Sequence, residues 1–551
     1  MKIFVTSSLP YCNHYPHLGN VCSSTLSGDV YARFKRGQGH EVIYLCGTDE
    51  YGSTTTIKAK QENVSCQELC DKYHKLHKKV YDWFNINFDV WGRTSTESQT
   101  KITHEIFLEL YKNGFIEGKT IVQMYCDNCK MFLADRYIKG TCYHEECLDK
   151  KSIANGDQCD FCQKMVDINK LIDPFCYVCK TRPEPRETKH LFLKLDALAN
   201  EIESYLDDPK RSNFKPNVLS IAKSWLKLGL TSRCITRDLQ WGTPVPKGVD
   251  DFLDQFSDKV FYVWFDAPFG YYSILAEAKA DWKQWLESPD LEWVSTQAKD
   301  NIPFHTIVFP ASILGSKVKY PLIQQICGTD YLLFEGKKFS KSEGIGLFGD
   351  TVINLSNELG INEDYWRFYL IKIRPESQDS SFSMQDFVQT IKTDLVNNIG
   401  NFINRCVSLS IKYTDGQSIH LYNDLDISEF VDKYNNLMDN FKFRDALKLC
   451  LELSSKGNQY IQVKQPWIVA KTDPASAAAI IGRANTICWI LLNLLSPFIP
   501  GTGSKLLSSF KCNLLTFREL STNSNIKIEI NNQTYAIPFK NIEEIINLAK
   551  P

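Results

Sequence analysis

The sequence has neither a large charge imbalance nor a long hydrophobic run. Its 551 residues include 63 Lys and Arg against 65 Asp and Glu, a net charge of −2 at pH 7. It contains no stretch of 18 apolar residues, and residues 2–6 already belong to a predicted strand, so no charged leader precedes them. These absences argue against a membrane, secreted or strongly basic protein. We therefore expect a cytoplasmic protein in which any surface for nucleic acid is local.

The turn after the first predicted strand lacks the two common nucleotide-binding fingerprints. Residues 3–7 (IFVTS) are apolar and β-prone, and residues 16–20 (PHLGN) lead into a predicted helix over 21–34. This turn contains neither GxGxxG nor GxxxxGK[ST], which argues against an ordinary dinucleotide enzyme or a P-loop NTPase. Gly19 nevertheless lets the backbone approach a phosphate at a helix N-terminus, and the His and Asn beside it add side-chain donors.

Two further segments fit a nucleotide site. Residues 42–46 (VIYLC) read as a strand, and GTDE at 47–50 places polar groups at its carboxyl end, where open α/β sheets bind ligands. Residues 338–342 (KFSKS) lie on a Gly- and Lys-rich loop. Alone, a His-Leu-Gly run is most often a turn and a Lys-Ser loop is most often solvated surface. Together, and in this order, they favour a site for a nucleoside triphosphate.

These segments resemble the two signatures of the class I aminoacyl-tRNA synthetases, a His-x-Gly-His-like element and a Lys-Met-Ser-Lys-Ser loop. In this chain Asn20 stands where the second His is usual, and Phe339 stands in place of Met. Segments similar to methionyl-tRNA synthetases of the eukaryotic cytosolic type are 8–11 (SLPY), 46–52 (CGTDEYG), 261–268 (FYVWFDAP) and 303–305 (PFH). The resemblance runs from residue 1 to about 470. It implies methionine–tRNA ligation through a methionyl-adenylate, with ATP and Mg²⁺.

The resemblance also implies the active-site residues. The methionine site would comprise Leu9, Tyr11, Asp49, Trp264, Ala267, Pro268, Tyr271 and His305, with Phe304 and Phe309 as further aromatic walls. The ATP site would comprise His17, Gly19, Asn20, Lys338, Ser340 and Lys341. The catalytic groups would be His17, Asn20, Asp49, Arg237, Lys338 and Lys341. Aromatic walls suit a thioether, and Asp49 suits the substrate ammonium. Arg237 is a polar partner at the reacting end or, alternatively, part of a surface salt bridge.

The reaction that these residues imply needs no strong general base. The carboxylate of methionine is already ionised at neutral pH, and it attacks the α-phosphorus of ATP. Stabilisation of charge and in-line positioning therefore carry the rate.

Eight of the 19 cysteines fall between residues 126 and 179, and an odd total without a leader argues against a disulfide framework. They form four pairs: Cys126 with Cys129, Cys142 with Cys147, Cys159 with Cys162, and Cys176 with Cys179. Three pairs have the CxxC spacing of zinc knuckles, the alternative being reduced buried thiols. The nested arrangement of the family joins the outer two pairs and the inner two. His144 lies inside the second pair, so the inner ion is Cys₄, Cys₃His or absent, giving one or two structural Zn²⁺.

We expect an α/β fold with a Rossmann-like parallel-sheet catalytic domain, a zinc-knuckle insertion and a helical-bundle anticodon-binding domain. The predicted segments are 1–117 and 235–330 for the two catalytic halves, 118–234 for the connective insertion, 331–385 for the lysine loop and stem-contact region, 386–512 for the helical domain and 513–551 for a tail. In the tail, residues 526–530 alternate like a strand, and a hairpin with 534–537 is expected.

The helical region carries candidate base-reading residues. Asn401 and Arg405 are four apart on one helix face, and Trp467 follows a turn at Gln465 and Pro466. Such groups can hydrogen-bond and stack unpaired bases, and these positions match the CAU anticodon readers of the family. The alternative is a polar pair and a core Trp. Expected partners are methionine tRNA, ATP and L-methionine, with other synthetases or tRNA-binding factors as candidates; we expect a monomer and no membrane.

Two other classes of function remain open. A nucleotidyltransferase of the same superfamily would use both signatures but leaves the helical region unexplained. A zinc-bearing RNA-binding scaffold with a dead active site would require a disrupted signature, and both signatures look intact.

Overall fold

The computed structural model describes residues 1–133, 137–156, 159, 161–162, 164, 166–339, 344–421, 427–512, 525–531 and 539. A five-stranded parallel sheet forms its centre. In spatial order the strands are Gln325–Thr329, Leu291–Ala298, Lys2–Ser7, Glu41–Thr48 and Val90–Arg93. The first strand of the chain is central in the sheet. One of its neighbours is the next strand in the sequence, and the other lies almost 300 residues later. This order reverses beside Lys2–Ser7, the point where doubly wound sheets bind ligands outside the carboxyl ends of their strands.

The central strands are apolar because both faces of the sheet are covered. Ile3, Phe4 and Val5 have no exposed surface, and near-continuous apolar runs are typical of buried parallel strands. The flanking helices, as the structure has them, are Leu18–Asn20, Leu26–Gly37, Ser53–Glu62, Cys66–Trp83, Glu97–Lys112, Val263–Asp266, Gly270–Ala278, Trp282–Leu286 and Phe309–Ser316. Two π-helical segments, Val21–Thr25 and Phe304–Val308, begin longer helices. The first directly follows the nucleotide turn at 16–20, and the second contains Phe304 and His305; π-turns are frequent at functional sites.

An antiparallel insertion separates the two halves of the parallel sheet. Its main hairpin pairs Ile116–Cys126 with Glu184–Leu193 over ten residue pairs. Shorter strands at its edges are Met131–Phe132 and Arg233–Cys234, and a second sheet joins Ile138–Thr141 to Ile153–Asn155 and Ile172–Cys176. The helices of this part are Glu145–Leu148, Ala199–Asp207, Pro216–Leu228 and Asp251–Asp254. A two-stranded ladder, Thr236–Arg237 with Val260–Phe261, leads the chain back to the parallel sheet.

Helices dominate the last third of the chain, as the sequence predicts. They are Gly349–Leu359, Glu363–Lys372, Met384–Thr390, the π-helical Ile391–Gly400, Asn401–Thr414, Ile427–Asp439, Phe443–Lys464, Pro466–Val469, Pro474–Leu495 and Pro500–Ser509. Ile427–Asp439 and Phe443–Lys464 are separate helices, because Phe441 takes a left-handed conformation (φ 59°) between them. The helix Pro474–Leu495 is long and apolar enough to cross a membrane, but 72% of its most apolar window is buried in the bundle.

Strands also occur outside the main sheet. Leu332–Phe334 pairs with Ser380–Phe382 just before the helical region. The predicted strand in the tail is confirmed as Asn525–Ile530, which lies between Gln417–Leu421 and Phe510–Cys512 in a three-stranded sheet. The expected hairpin partner, 534–537, lies outside the described residues.

A buried ion pair joins the catalytic and helical parts. Arg367 donates to the carboxylate of Asp29 at 2.6 Å, and both side chains have no exposed surface. The same guanidinium donates to the backbone carbonyls of Phe84, Pro497 and Phe498. These bonds satisfy the charge of Arg367 on several sides, which a buried guanidinium requires. Burial raises the pKa of Asp29 most, but the opposing guanidiniums outweigh it and leave the pKa lowered.

Candidate functional site

The nucleotide turn is fixed by a reciprocal cap between His17 and Asn20. The backbone N–H of Asn20 donates to His17 Nδ1 at 3.3 Å, and the backbone N–H of His17 donates to Asn20 Oδ1 at 3.2 Å. Because Nδ1 accepts a hydrogen bond, the proton of the neutral ring is on Nε2. Burial lowers the pKa of His17 to about 4, so the ring is neutral at physiological pH. The turn therefore offers an uncharged N–H donor at the start of a helix.

The lysine loop packs directly on this turn. The Phe339 ring stacks on the His17 ring, with centroids 4.5 Å apart and planes 9° apart. A Cβ on Gly346, whose φ is +117°, would lie only 2.2 Å from the Phe339 ring, so the loop needs glycine there. The N–H of Leu18 donates to the carbonyl of Leu347 at 3.2 Å. Two segments more than 300 residues apart are thus one local structure.

The lysines of the loop are placed only in part. Lys338 is exposed, and its ammonium lies 5.5 Å from the centroid of the Tyr331 ring. Lys341 and Ser340, assigned to the ATP site from the sequence, lie outside the described residues. Their roles remain predictions.

Aromatic side chains of the predicted methionine site contact one another in the structure. Trp264 stacks on Phe304 with centroids 4.0 Å apart, and Tyr11 meets Trp264 edge to face at 6.2 Å. Tyr271 packs edge to face on Trp293. Leu9 lies near Gly270, where an added Cβ would be 2.8 Å from Leu9 Cδ1. Ala267 and Pro268 lie in the short 3₁₀ turn Ala267–Phe269, which follows Trp264 in the sequence. The structure thus brings together most of the predicted methionine residues.

His305 presents one defined tautomer inside this pocket. Its Nδ1 lies 2.9 Å from the carbonyl of Asn301, which can only accept, so Nδ1 carries the proton. Its Nε2 lies 3.0 Å from the hydroxyl of Tyr271 and must accept from it. Burial lowers the pKa of His305 to about 4, so the ring stays neutral. A fixed, uncharged His–Tyr pair gives the apolar pocket one polar end.

Asp49 is a buried carboxylate with an unused oxygen. Its backbone is held to the first loop, since Asp49 N donates to Pro10 O at 2.8 Å and Cys12 N donates to Asp49 O at 3.0 Å. The residue is 6% exposed, and its Oδ1 has no hydrogen-bond partner. Burial raises the pKa of Asp49 most, followed by the nearby Asp266 and Glu50 carboxylates. A cationic ligand group would satisfy this oxygen.

Arg237 lies at the edge of the segment that leads into the pocket. Its guanidinium stacks over the Tyr262 ring at 3.7 Å, two residues before Trp264, and its Nη1 donates to the carbonyl of Thr236 at 2.9 Å. The neighbouring Asp238 binds Lys259 and accepts from His190 Nε2 at 3.0 Å. The predicted role of Arg237 at the reacting end stays a prediction.

The sequence analysis did not single out Asp266. This residue lies between Trp264 and Ala267, is 1% exposed, and accepts from the Thr243 hydroxyl at 2.5 Å. Burial raises the pKa of Asp266 to about 7. An acidic residue inside the apolar run FYVWFDAP was the available signal, because a buried carboxylate needs a partner.

Two cysteine clusters have the composition of zinc sites. Cys126, Cys129, Cys176 and Cys179 form the first, and Cys142, Cys147, Cys159 and Cys162 form the second. Within each, all sulfurs lie within 4.8 Å of one another. This is the nested grouping that the resemblance implied. None of the cysteines forms a disulfide. Four converging thiols fit a tetrahedral Zn²⁺, which binds four thiolates.

His144 lies beside the second cluster rather than replacing one of its sulfurs. Its Nδ1 is 3.2 Å from Cys142 Sγ and 3.5 Å from Cys162 Sγ. The four-sulfur group is complete without it. The geometry favours a Cys₄ site with His144 as a hydrogen-bond neighbour of its sulfurs.

Asn401 and Arg405 share one partner on a facing helix. Asn401 Nδ2 donates to Asn458 Oδ1 at 3.2 Å, and Arg405 Nη1 lies 3.3 Å from the same oxygen. Arg405 Nη2 also donates to Gln462 Oε1 at 3.2 Å. Trp467 is half-buried at the turn that follows this facing helix, after Gln465 in a left-handed conformation. All three predicted readers are therefore held by the helix Phe443–Lys464 and the turn at its end.

Comparisons with known proteins show which families this chain resembles. The family model described as tRNA synthetases class I (M) matches residues 3–407, and the one described as anticodon binding domain of methionyl tRNA ligase matches residues 414–544. A methionine–tRNA ligase of Acanthamoeba polyphaga mimivirus is 59% identical over 98% of both chains. The cytoplasmic methionine–tRNA ligase of Homo sapiens is 42% identical, and the match covers 96% of this chain but 60% of that protein.

A solved structure of similar fold is that of Mycobacterium tuberculosis methionyl-tRNA synthetase in complex with methionyl-adenylate. It has a TM-score of 0.78 and 22% identity, and the match covers 98% of this chain and 100% of that one.

Proposed function

Because the chain belongs to the methionyl-tRNA synthetase family of class I tRNA synthetases, we propose how its own residues divide the two steps of methionine–tRNA ligation. The chain is a methionine–tRNA ligase. In the first step methionine and ATP give methionyl-adenylate and pyrophosphate, and in the second the methionyl group passes to the terminal adenosine of tRNA.

The observation that carries the proposal is the buried, unpartnered carboxylate oxygen of Asp49, whose backbone pairs with that of Tyr11. Asp49 binds the ammonium of methionine. The walls formed by Tyr11, Trp264 and Phe304 take the thioether, since sulfur contacts with aromatic rings are favourable. The hydrogen-bonded His305–Tyr271 pair closes one end of this site and limits the shape of the side chain that fits there.

The two signatures hold ATP from opposite sides. His17 Nε2–H and the helix N-terminus at Gly19 and Asn20 contact the phosphates, while Lys338 and Lys341 neutralise the charge of the leaving pyrophosphate. Mg²⁺ brought with ATP would help to neutralise the charge of the phosphates. Arg237 contacts the reacting end. Removal of one such donor typically lowers the rate by about 10²–10³.

The helical part reads the tRNA anticodon. Asn401, Arg405 and Trp467 lie together at one end of the helix Phe443–Lys464, where they can bond and stack unpaired bases of a CAU anticodon. The domain division that goes with this role places the catalytic halves at 1–117 and 235–330, the stem-contact region at 331–385 and the anticodon domain at 386–512.

The cysteine clusters hold two structural Zn²⁺ ions in the insertion 118–234. The ions fix its small sheets, which have few buried apolar residues of their own, and so let the insertion position the acceptor end of tRNA. The enzyme acts in the cytoplasm, as the names of several relatives indicate for those proteins, and acts as a monomer.

ATP–pyrophosphate exchange with each of the twenty amino acids tests the proposal, because it isolates adenylate formation from RNA binding. We expect exchange with methionine alone, and Asp49→Asn should lose it while retaining the fold. Absence of exchange with every amino acid, in folded and zinc-replete protein, would contradict the proposal.

A further inference from the structure

Asp266 is a second buried carboxylate with an unused oxygen. Its Oδ2 accepts from the Thr243 hydroxyl at 2.5 Å, but its Oδ1 has no hydrogen-bond partner. The residue is only 1% exposed. Leaving a buried acceptor unsatisfied costs free energy, so such an atom in a pocket points to a ligand.

Asp266 lies close enough to Asp49 for its carboxyl group to raise the pKa of Asp49. The indole N–H of Trp241 donates to the backbone carbonyl of Glu50 at 2.7 Å, and two residues later Thr243 binds the carboxylate of Asp266. The segment 241–243 therefore runs from the Asp49 loop to Asp266. The Oδ1 atom of Asp49 is also buried and unpartnered. Two buried carboxyl groups that interact electrostatically therefore each have one oxygen without a hydrogen-bond partner.

The other charged and titratable groups around the pair do not neutralise it. The groups that interact with Asp49 or Asp266 are Glu50, Tyr51 and Tyr271. Arg93 and His74 contact Glu50 rather than the pair. The guanidinium of Arg93 lies 2.9 Å from the Glu50 carboxylate and forms an ion pair with it. Neither Asp49 nor Asp266 forms a salt bridge with any residue that the structure describes.

We propose that Asp266 acts with Asp49 as a two-carboxylate cradle for the α-ammonium of methionine, and that the empty cradle holds one proton which leaves when the amino acid binds. This rests on the proposed function and adds a residue to it. Two buried carboxylates cannot both ionise at low cost, so the empty pair keeps a proton. The ammonium brings its own positive charge, both carboxylates then ionise, and the displaced proton passes to solvent.

Proton release on methionine binding is the distinguishing measurement. Calorimetric titration of the whole enzyme with L-methionine, in buffers of different ionisation enthalpy, gives the number of protons released. Burial raises the pKa of Asp266 to about 7 and raises the pKa of Asp49 well above its ordinary value, so we expect release of a substantial fraction of one proton at pH 6.5, and less only at a pH high enough to ionise both carboxyl groups before methionine binds. In Asp266→Asn the release at pH 6.5 should fall by about half or more, and methionine should bind about 10- to 100-fold more weakly.

Two further variants and one methionine analogue serve as controls for this test. Thr243→Val leaves the carboxylate but removes its donor, so proton release should extend to higher pH. Asp82→Asn makes the same chemical change at an exposed carboxylate and should match wild type. The deamino analogue 4-(methylthio)butanoate lacks the ammonium, so Asp266→Asn should not weaken its binding.

The outcomes separate this inference from the proposed function. If wild type supports methionine-dependent exchange but Asp266→Asn keeps wild-type affinity and proton release, the cradle is wrong while the function stands. If Asp266→Asn fails to fold, an unchanged proton-release profile in Thr243→Val overturns the cradle instead. If wild type neither binds nor activates methionine, the proposed function itself fails.

Discussion

Phe339 of the lysine loop stacks flat on His17 of the nucleotide turn, with ring centroids 4.5 Å apart. The loop residue departs from the usual Met of the signature, and an aromatic ring can stack where a thioether cannot. The contact joins the lysine loop to the nucleotide turn. It also holds the imidazole in the orientation that directs Nε2–H away from its own helix.

Removing this ring should weaken ATP binding selectively. An aromatic pair contributes about 0.5–1.5 kcal/mol beyond its buried area, so Phe339→Ala should raise the KM for ATP by about 2- to 13-fold. The KM for methionine should stay near the wild-type value, because the aromatic pocket is untouched. Steady-state ATP–pyrophosphate exchange measures both constants. Phe339→Met restores the usual signature residue and serves as the matched control. An equal change in the KM for ATP in both variants would show that stacking is unimportant.

Zinc content should depend on each cluster separately. We expect two ions per chain by elemental analysis, with Cys176→Ser losing one and Cys159→Ser losing the other. His144→Ala should keep both ions, since four sulfurs remain in its cluster. A content of one ion in His144→Ala would instead establish a Cys₃His site. Chelation should unfold the insertion, because binding of structural zinc is part of the free energy of folding.

Trp467→Ala should impair charging of tRNA but not activation of methionine. Loss of one stacked base costs about 1–3 kcal/mol, so kcat/KM for tRNA should fall by about 5- to 150-fold. Exchange of pyrophosphate should be unchanged, because the Trp lies in the helical part. Asn458→Ala removes the shared partner of Asn401 and Arg405 and should act in the same direction. Equal losses in both assays would contradict the division between the two parts.

Breaking the buried ion pair should destabilise the whole chain. Arg367→Met leaves Asp29 buried without that guanidinium, which typically costs about 3–5 kcal/mol. Lys78→Met removes an exposed helix pair with Asp82 and should change the free energy of unfolding by less than about 1 kcal/mol. Denaturant unfolding compares the two. A similar small change in both would mean that the pair is not a structural requirement.

Neutral buried histidines should add an acid-sensitive part to the stability. Burial lowers the pKa of His77 to about 4, and its Nε2–H donates to the carbonyl of His14 at 2.6 Å. A histidine whose pKa is depressed on folding stabilises the protein above its unfolded pKa of 6.5, and that contribution is lost as the pH falls from 6.5 to 4. His77→Gln keeps a donor but does not titrate. The Tm of wild type should therefore fall more steeply than that of His77→Gln over this range; parallel curves would refute the idea.

Sequence reasoning reached the fold and the family but not every contact in the site. Local patterns of apolar residues could anticipate the parallel sheet, and the family resemblance implied how the cysteines group. The stacking of Phe339 on His17 could not be anticipated, because it depends on how a distant loop returns to the first turn. Asp266 was missed for a related reason: its importance lies in burial beside Asp49, which only the three-dimensional structure reveals.

The strand order of the central sheet also has a consequence in time. Lys2–Ser7 is made first, yet one of its two neighbours, Leu291–Ala298, is encoded almost 300 residues later. At synthesis rates of about 5–20 residues per second, that edge stays unpaired for roughly 15–60 s on the ribosome. An apolar strand with an open edge is prone to mispairing. During this time, the newly made chain must keep the open edge of its first strand from pairing with other strands.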